Sequence, residues 1–321
     1  MYYDNVQKNK ITQQPWFLGI LALTIFILVL WSNWNHTSAT DVTATGLAGL
    51  LQTTGGIIAV AAVTSLVVTL IINVVGRLPM QAQTIVVWIA LLLGALYFFY
   101  SFDLSYPFIY TKLPFLVTQG VFTTVYISAI SIAIAFVLAI IGAIAKLSQN
   151  GFAVAIASFY TSFFRGVPLL IQIYLIYLGI PQLGYVIDAV PAGVLALSLC
   201  YGAYMTEIFR GGIMSIPRGQ WEAARALGLR PFTTMRKVIM PQAMKLIIPP
   251  TGNQFIAMLK DSSLVSVIGV WELMFLARTQ GREEFRHLEM LITAAMLYWI
   301  LSIILERGQA VLEKRMRRQD R

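Results

Sequence analysis

The sequence predicts an all-α polytopic membrane protein of about eight transmembrane helices, and three observations carry that reading. Of its 321 residues 58% are hydrophobic and only 12% charged, with a mean hydropathy of +0.75; soluble domains hold roughly a quarter charged residues. Runs such as GGIIAVAAVTSLVVTLIINVV and VYISAISIAIAFVLAIIGAIA exceed the roughly 18 apolar residues that span a bilayer as a helix. The strict apolar–polar alternation of a membrane β-barrel is absent from the sequence.

The expected spans run near 15–32, 49–75, 83–101, 116–145, 160–181, 190–211, 248–274 and 288–307. Trp16 and Trp31 bracket the first at the depths interfacial aromatics favour. Lys8 and Lys10 ahead of it also suit a cleaved signal peptide, but SNWNHTSAT offers no convincing small-residue cleavage site. In the second span Gln52, Thr53 and Thr54 suit hydrogen bonds between helices. The segment SFDLSYPFIYTKLP holds two prolines and few strong helix formers. It is the expected junction between an N-terminal region, 1–105, with three spans and a second region, 106–321, with five.

Polar groups concentrate in the later spans. Gln172, Tyr174 and Tyr177 in the fifth either line a pathway or pack. Lys260 and Asp261 fall near the middle of the seventh, with Ser262 and Ser263 at the same depth and Pro249, Pro250 and Gly252 loosening the helix before them. An isolated charge at the bilayer centre costs about 2.5–3.5 kcal/mol on insertion scales, so each needs a partner or a watery cavity. Neighbours on a helix point about 100° apart and make no ideal pair with each other. Two readings follow: a structural network, or a substrate path at a broken span, where an ammonium and a carboxylate together complement a zwitterion. Arg165, nearer a span end, snorkels to the interface or serves a gate, with Glu207–Arg165 and Glu207–Lys260 as candidate ion pairs.

Charge placement sets the orientation. Lys8, Lys10, Arg77, Lys146, seven basic residues from Arg210 to Lys245 and six from Arg307 onward share one side, 17 against four on the other. The richer side is cytoplasmic. Both termini are then cytoplasmic, and the loops Asn33–Asp41 and GIPQLGYVIDAVP are extracytoplasmic. The net charge of +9 therefore reflects membrane topology and requires no nucleic acid partner. Catalytic classes find little support. The single cysteine, Cys200, lies in an apolar run, His36 and His287 fall in outer loops, and neither a metal-ligand cluster nor a nucleophile–base spacing occurs. No G-x-x-x-x-G-K-[ST] loop occurs either, so the chain cannot itself cradle ATP.

One cytoplasmic stretch stands apart, GQWEAARALGLRPFTTMRKVIMP, residues 219–241. Its first part suits a short helix, Gly228 suits the left-handed stop, and Pro231 blocks simple continuation. The pattern is an elbow of two helices, slimmed by Ala223, Ala224 and Ala226, with Trp221 and Leu227 as apolar anchors. It either lies on lipid headgroups or docks a cytosolic partner.

The spacing Glu222-Ala223-Ala224, three residues, Gly228, nine residues, Val238, one residue, Met240-Pro241 resembles the EAA loop of binding-protein-dependent ABC importer permeases. It departs from that pattern only in Val238 for isoleucine and Met240 for leucine. Three further stretches are similar to the polar amino acid branch: Arg165-Gly166 with Pro168 to Leu170 and Gln172; Glu207 with Arg210 to Gly212; and Lys260 to Leu264 with Glu272. Together the matches cover about 117–314. The resemblance implies a five-helix importer core within 106–321 whose cytoplasmic loop, 212–247, couples to a separate ATPase through Glu222, Ala223, Ala224, Gly228 and Pro241. It implies no cofactor in this chain, with ATP and Mg held by two copies of the partner ATPase. Other implied partners are a second permease (a heterodimer slightly favoured over a homodimer), an extracytoplasmic amino acid binding protein and the bilayer of a bacterial inner membrane. An ion-gradient-driven secondary transporter is the competing class; it needs no ATPase dock.

Overall fold

A computed structural model describes residues 22–24, 27, 54–102 and 104–318. Contacts divide the chain into two units, Met1–Asp103 and Leu104–Arg321. Among the described residues five helices are long and apolar enough to cross a membrane, or seven if each of two bent pairs is one span. The first expected span lies almost wholly outside the described residues, as do Gln52, Thr53 and the side chain of Thr54.

In the first unit, α1 (Thr54–Gly76) and α2 (Met80–Tyr100) flank a tight turn. Pro79 begins α2 where its missing N–H is no loss, and the Gln83 amide closes the turn on the carbonyls of Gly76 and Leu78 at 2.9 and 2.7 Å. No side chain of α2 is buried within the unit. Apolar on all sides, it is a surface for lipid or for other helices.

The second unit is built around α7 (Ala189–Met214), which packs most extensively against α4 (Phe122–Leu147). Small residues permit that approach: Ala135, Ala139, Gly142 and Ala143 face a helix carrying Ala192, Ala196, Gly202 and Ala203, all buried. Close backbone packing of this kind replaces the hydrophobic effect, which is weak between helices in lipid. At Gly142 an added Cβ would lie 2.5 Å from Thr206 Oγ1. Overpacking of this order costs about 1–3 kcal/mol. Gly142→Ala is therefore expected to lower the thermal midpoint of the purified protein, and Thr206→Ala in the same chain to restore most of it. Equal midpoints for parent and single variant would remove this account of the interface.

Three expected spans differ from straight helices. The junction segment is helical, α3 (Tyr106–Phe115), and a π-turn at Leu116–Val121 carries it into α4 as one 42-residue apolar helix. Pro107 sits in the first turn, where it is tolerated, and the π-turn follows Pro114, where the ladder must open. The fifth span is two helices, α5 (Gly151–Gly166) and α6 (Leu169–Gln182), bent by 106°. The seventh keeps α10 (Met240–Asp261) intact through Pro249 and Pro250 and breaks later: a 3-10 turn, Ser262–Ile268, ends at Gly269 with φ +85° before α11 (Leu273–Glu283). The break thus lies beyond the prolines, at the residue whose lack of a Cβ permits a left-handed backbone. The last helix, α12 (His287–Arg318), packs against α10 and α11.

Candidate functional site

The elbow has a defined local geometry. Pro217 starts α8 (Arg218–Ala226), and the short α9 (Pro231–Thr234) leads through a π-turn, Met235–Ile239, into α10. At the end of α8 the Leu229 N–H donates to the Ala224 carbonyl at 3.1 Å and the Gly228 N–H to the Arg225 carbonyl at 2.9 Å. Gly228 has φ +68°. These are the two bonds of a Schellman stop with glycine in the left-handed position. The stop runs from Ala224 to Leu229, with the glycine at its next-to-last residue. Ala224 and Trp221 face inward, while Glu222, Ala223, Arg225 and Ala226 are exposed. Of the two expected apolar anchors Trp221 is partly buried, whereas Leu227 is 78% exposed; Phe232 is 74% exposed. As the last residue before the stop, Leu227 is turned away from the bundle. The two arms are tied by Gln242 Nε2 to Gln220 Oε1 at 3.1 Å, and Pro241 lies exposed in the first turn of α10.

The bend at Gly166-Val167-Pro168 depends on Gln172. Its amide donates to the carbonyls of Phe164 and Val167 at 2.9 and 2.8 Å, while the residue itself is 2% exposed. Carbonyls freed at a helix break have no water to satisfy them inside a membrane, and this side chain supplies the donors. Gln172 is thus a clamp on the bend.

A cavity of about 320 Å³ lies beside that bend, lined by Arg165, Tyr201, Tyr204, Gln254 and Asp261 among others. The Arg165 guanidinium sits 5.4 Å from the centre of the Tyr204 ring, a cation–π arrangement, and Asp261 accepts from the Tyr201 hydroxyl at 2.7 Å. Lys260 is exposed and does not line this cavity. The cation that shares this cavity with Asp261 therefore comes from the end of α5 and not from its sequence neighbour. Ser262 is buried and donates to the Leu259 carbonyl at 2.7 Å; Ser263 is partly buried.

Residues 135–318 match the family of binding-protein-dependent transport system inner membrane components. The chain belongs to that family. Its similarity to individual members is broad. It is 37% identical over 204 residues to the L-cystine transport system permease protein TcyB of Bacillus subtilis, covering 63% of this chain and 87% of the relative. It is 39% identical over 210 residues to the arginine transport system permease protein ArtQ of the same organism, covering 65% and 95%. A solved amino acid ABC transporter with histidines superposes with a TM-score of 0.63 at 35% identity, over 67% of this chain and all of that one. The MetNI methionine ABC transporter, at 20% identity and a TM-score of 0.56, shares the fold. The importer permease resemblance read from the elbow is thereby borne out, and the chain is a multi-pass inner membrane component.

Within this inner membrane component several functional partners escaped sequence reasoning. Glu207 pairs with neither Arg165 nor Lys260. Its carboxylate bridges Lys146, in the last turn of α4, and Arg210, one turn along α7, the latter at 2.9 Å. Lys146 also donates to Thr161 at 3.0 Å, which joins α5 to the same cluster. Its position in the last turn of a helix is a signal of sorts, since cations favour that end of the dipole. Glu272, completely buried, caps α11 by accepting from the N–H groups of Met274 and Phe275 at 2.9 and 2.7 Å and from Tyr298 at 2.5 Å. A carboxylate three residues after a left-handed glycine, at the start of a helix, suits the positive end of the helix dipole; its tyrosine partner leaves no such mark in the sequence.

Proposed function

We propose that this chain is a permease subunit of an ATP-driven importer of polar amino acids. Substrate passes by alternating access, and energy comes from a separate ATPase seated on the α8–α9 elbow. The observation that carries this reading is the elbow: a rigid Schellman stop presents a narrow alanine-rich surface with Glu222, Leu227 and Phe232 outward. A secondary transporter has no use for such a surface. Glu222, Ala223, Ala224, Gly228 and Pro241 form the coupling element, and two ATPase copies hold ATP and Mg. The complex contains a second permease, a heterodimer being favoured by the extra N-terminal region. A binding protein delivers substrate on the outer side, at residues 179–191 and α11, and both termini are cytoplasmic. That substrates are amino acids is supported by the cystine, arginine and glutamine permeases among the relatives.

The cavity beside the bend is the candidate substrate site. Arg165 offers a guanidinium to a carboxylate and Asp261 a carboxylate to an ammonium, with the Tyr201 hydroxyl orienting Asp261. Lys260, Ser262, Ser263 and Gln172 support the surrounding breaks or the partner interface and do not contact substrate. A hydrogen bond to a charged group contributes about 1.5–3 kcal/mol. Asp261→Asn is therefore expected to lower uptake in proteoliposomes at least tenfold, while ATP hydrolysis stimulated by the loaded binding protein stays near the parent value. Tyr201→Phe removes only the orienting bond and should cost several-fold. Unchanged uptake in Asp261→Asn places the substrate elsewhere.

The whole reading is tested by purifying the complex with its ATPase and measuring ATP hydrolysis with binding proteins loaded from a panel of amino acids. Uptake that follows an imposed ion gradient and ignores ATP would overturn it.

A further inference from the structure

A second cavity is larger than the one beside the bend. It measures about 700 Å³ and opens where α11, the Ser262–Ile268 turn and the start of α12 meet. Its charged lining, two arginines, is of one sign. Arg278 and Arg282 stand four residues apart, on one face of α11, with Thr279 between them, and His287 faces them from α12. No acidic residue lines it.

The acids nearby are committed elsewhere. Glu272, whose carboxylate feels the charge of Arg278, is buried and engaged by Met274, Phe275 and Tyr298. Glu283 accepts from Gln280 at 3.1 Å, Glu284 pairs with Lys112 at 3.4 Å, and Glu289 pairs with Arg286 at 2.8 Å. Among the described residues neither Arg278 nor Arg282 forms an ion pair, and both are exposed. On the orientation set by the basic loops, these arginines lie on the outer, charge-poor side. Two forked donors that the fold keeps unpaired in a concave, partly apolar chamber form a receptor for carboxylate.

We propose that this cavity is an outer vestibule that accepts anions and favours amino acids bearing a second carboxylate over neutral and cationic ones. The substrate preference rests on the importer reading above; the charge selectivity of the cavity does not. Clefts lined by one sign of charge raise the local concentration of the opposite sign by about tenfold or more, and salt weakens the effect. The vestibule concentrates acidic substrate ahead of the Arg165–Asp261 cavity and disfavours arginine-like substrates by the same field.

The test uses Thr279→Cys in the full chain, in right-side-out membrane vesicles, with the parent and its buried Cys200 as background. Two methanethiosulfonate reagents, one carrying a sulfonate and one a trimethylammonium group, are compared for their rates of labelling. Any effect of the arginines on the thiol itself cancels in the ratio. The anionic reagent is expected to react about tenfold faster at low salt. The ratio should fall towards one in Arg278→Gln/Arg282→Gln and at high salt, and glutamate should slow labelling more than glutamine or arginine does. A ratio at or below one, a preference that survives the double substitution, or labelling confined to inside-out vesicles overturns the proposal. Protection by an added binding protein and by no free amino acid would assign the arginines to an acidic protein surface instead, and also overturns it. Because labelling is read without transport, a complex that takes up no amino acid while keeping the tenfold ratio removes the importer reading and leaves the anion vestibule standing.

Discussion

Gly228→Val is expected to uncouple ATP hydrolysis from uptake, whereas Gly228→Asn keeps most of it. The reason is backbone conformation and not space. An added Cβ at Gly228 meets nothing within 4 Å, but φ is +68°. A residue with a Cβ held left-handed costs about 1–2 kcal/mol, asparagine being the mildest and β-branched residues the worst. The Schellman stop orients both Ala224 and the exposed Leu227, so valine shifts the elbow towards a continued or frayed helix. A penalty of about 2 kcal/mol lowers the fraction in the docking geometry by some thirtyfold. Uptake in proteoliposomes should drop at least tenfold, with basal hydrolysis by the ATPase retained and its stimulation by the binding protein lost. If valine and asparagine variants both transport at the parent rate, the elbow is not the coupling element. A further contrast separates strain from lost contact: Ala223→Leu leaves the backbone undisturbed but widens the exposed surface, and should weaken ATPase association directly.

The elbow was legible in the sequence because its geometry is local. A bond from Leu229 to Ala224 and another from Gly228 to Arg225 are written in the residue spacing, and glycine announces the handedness of the stop. The spans were legible for the same reason: a long apolar helix satisfies its own backbone within the segment. What stayed hidden depends on distant partners. Hydropathy averages over a window, so the 106° bend after Gly166 passed as one straight span. Gln172 was visible as a polar residue in an apolar helix, but its role as the donor to Phe164 and Val167 required the bend first. Asp261 was visible as a charge in an apolar span, but the cavity it lines was not, and neither was the exposure of its neighbour Lys260. The cation that shares this cavity, Arg165, lies in a different span. The proline pair at 249–250 misled in the opposite direction. A helix already held by α7 and α12 tolerates the missing N–H groups.

Losing Glu207 should loosen the contact between two helices of the bundle. One carboxylate there bridges two cations from different helices, Lys146 on α4 and Arg210 on α7, and its side chain is 19% exposed. Removing one partner of a fully buried pair costs about 3–5 kcal/mol, because the remaining charge is stranded. Partial exposure reduces that here to about 2 kcal/mol, but two cations are stranded instead of one. Glu207→Ala is therefore expected to lower the thermal midpoint by several degrees and to reduce the amount of assembled complex. Lys146→Ala should cost much less, because Arg210 still satisfies Glu207. The double variant Lys146→Ala/Glu207→Ala should recover part of the loss, since one stranded cation is gone. Arg165→Ala should leave the midpoint unchanged and affect transport alone. That ordering separates the observed cluster from a Glu207–Arg165 pair, which would make Arg165→Ala as damaging as Glu207→Ala. The exchange Lys146→Glu/Glu207→Lys is the strictest version: it restores the interhelical pair but sets lysine beside Arg210, so rescue should be partial. Full rescue would mean that Arg210 contributes nothing to the cluster. No rescue at all would mean that α4 and α7 are held here by packing around Gly142 and not by charge.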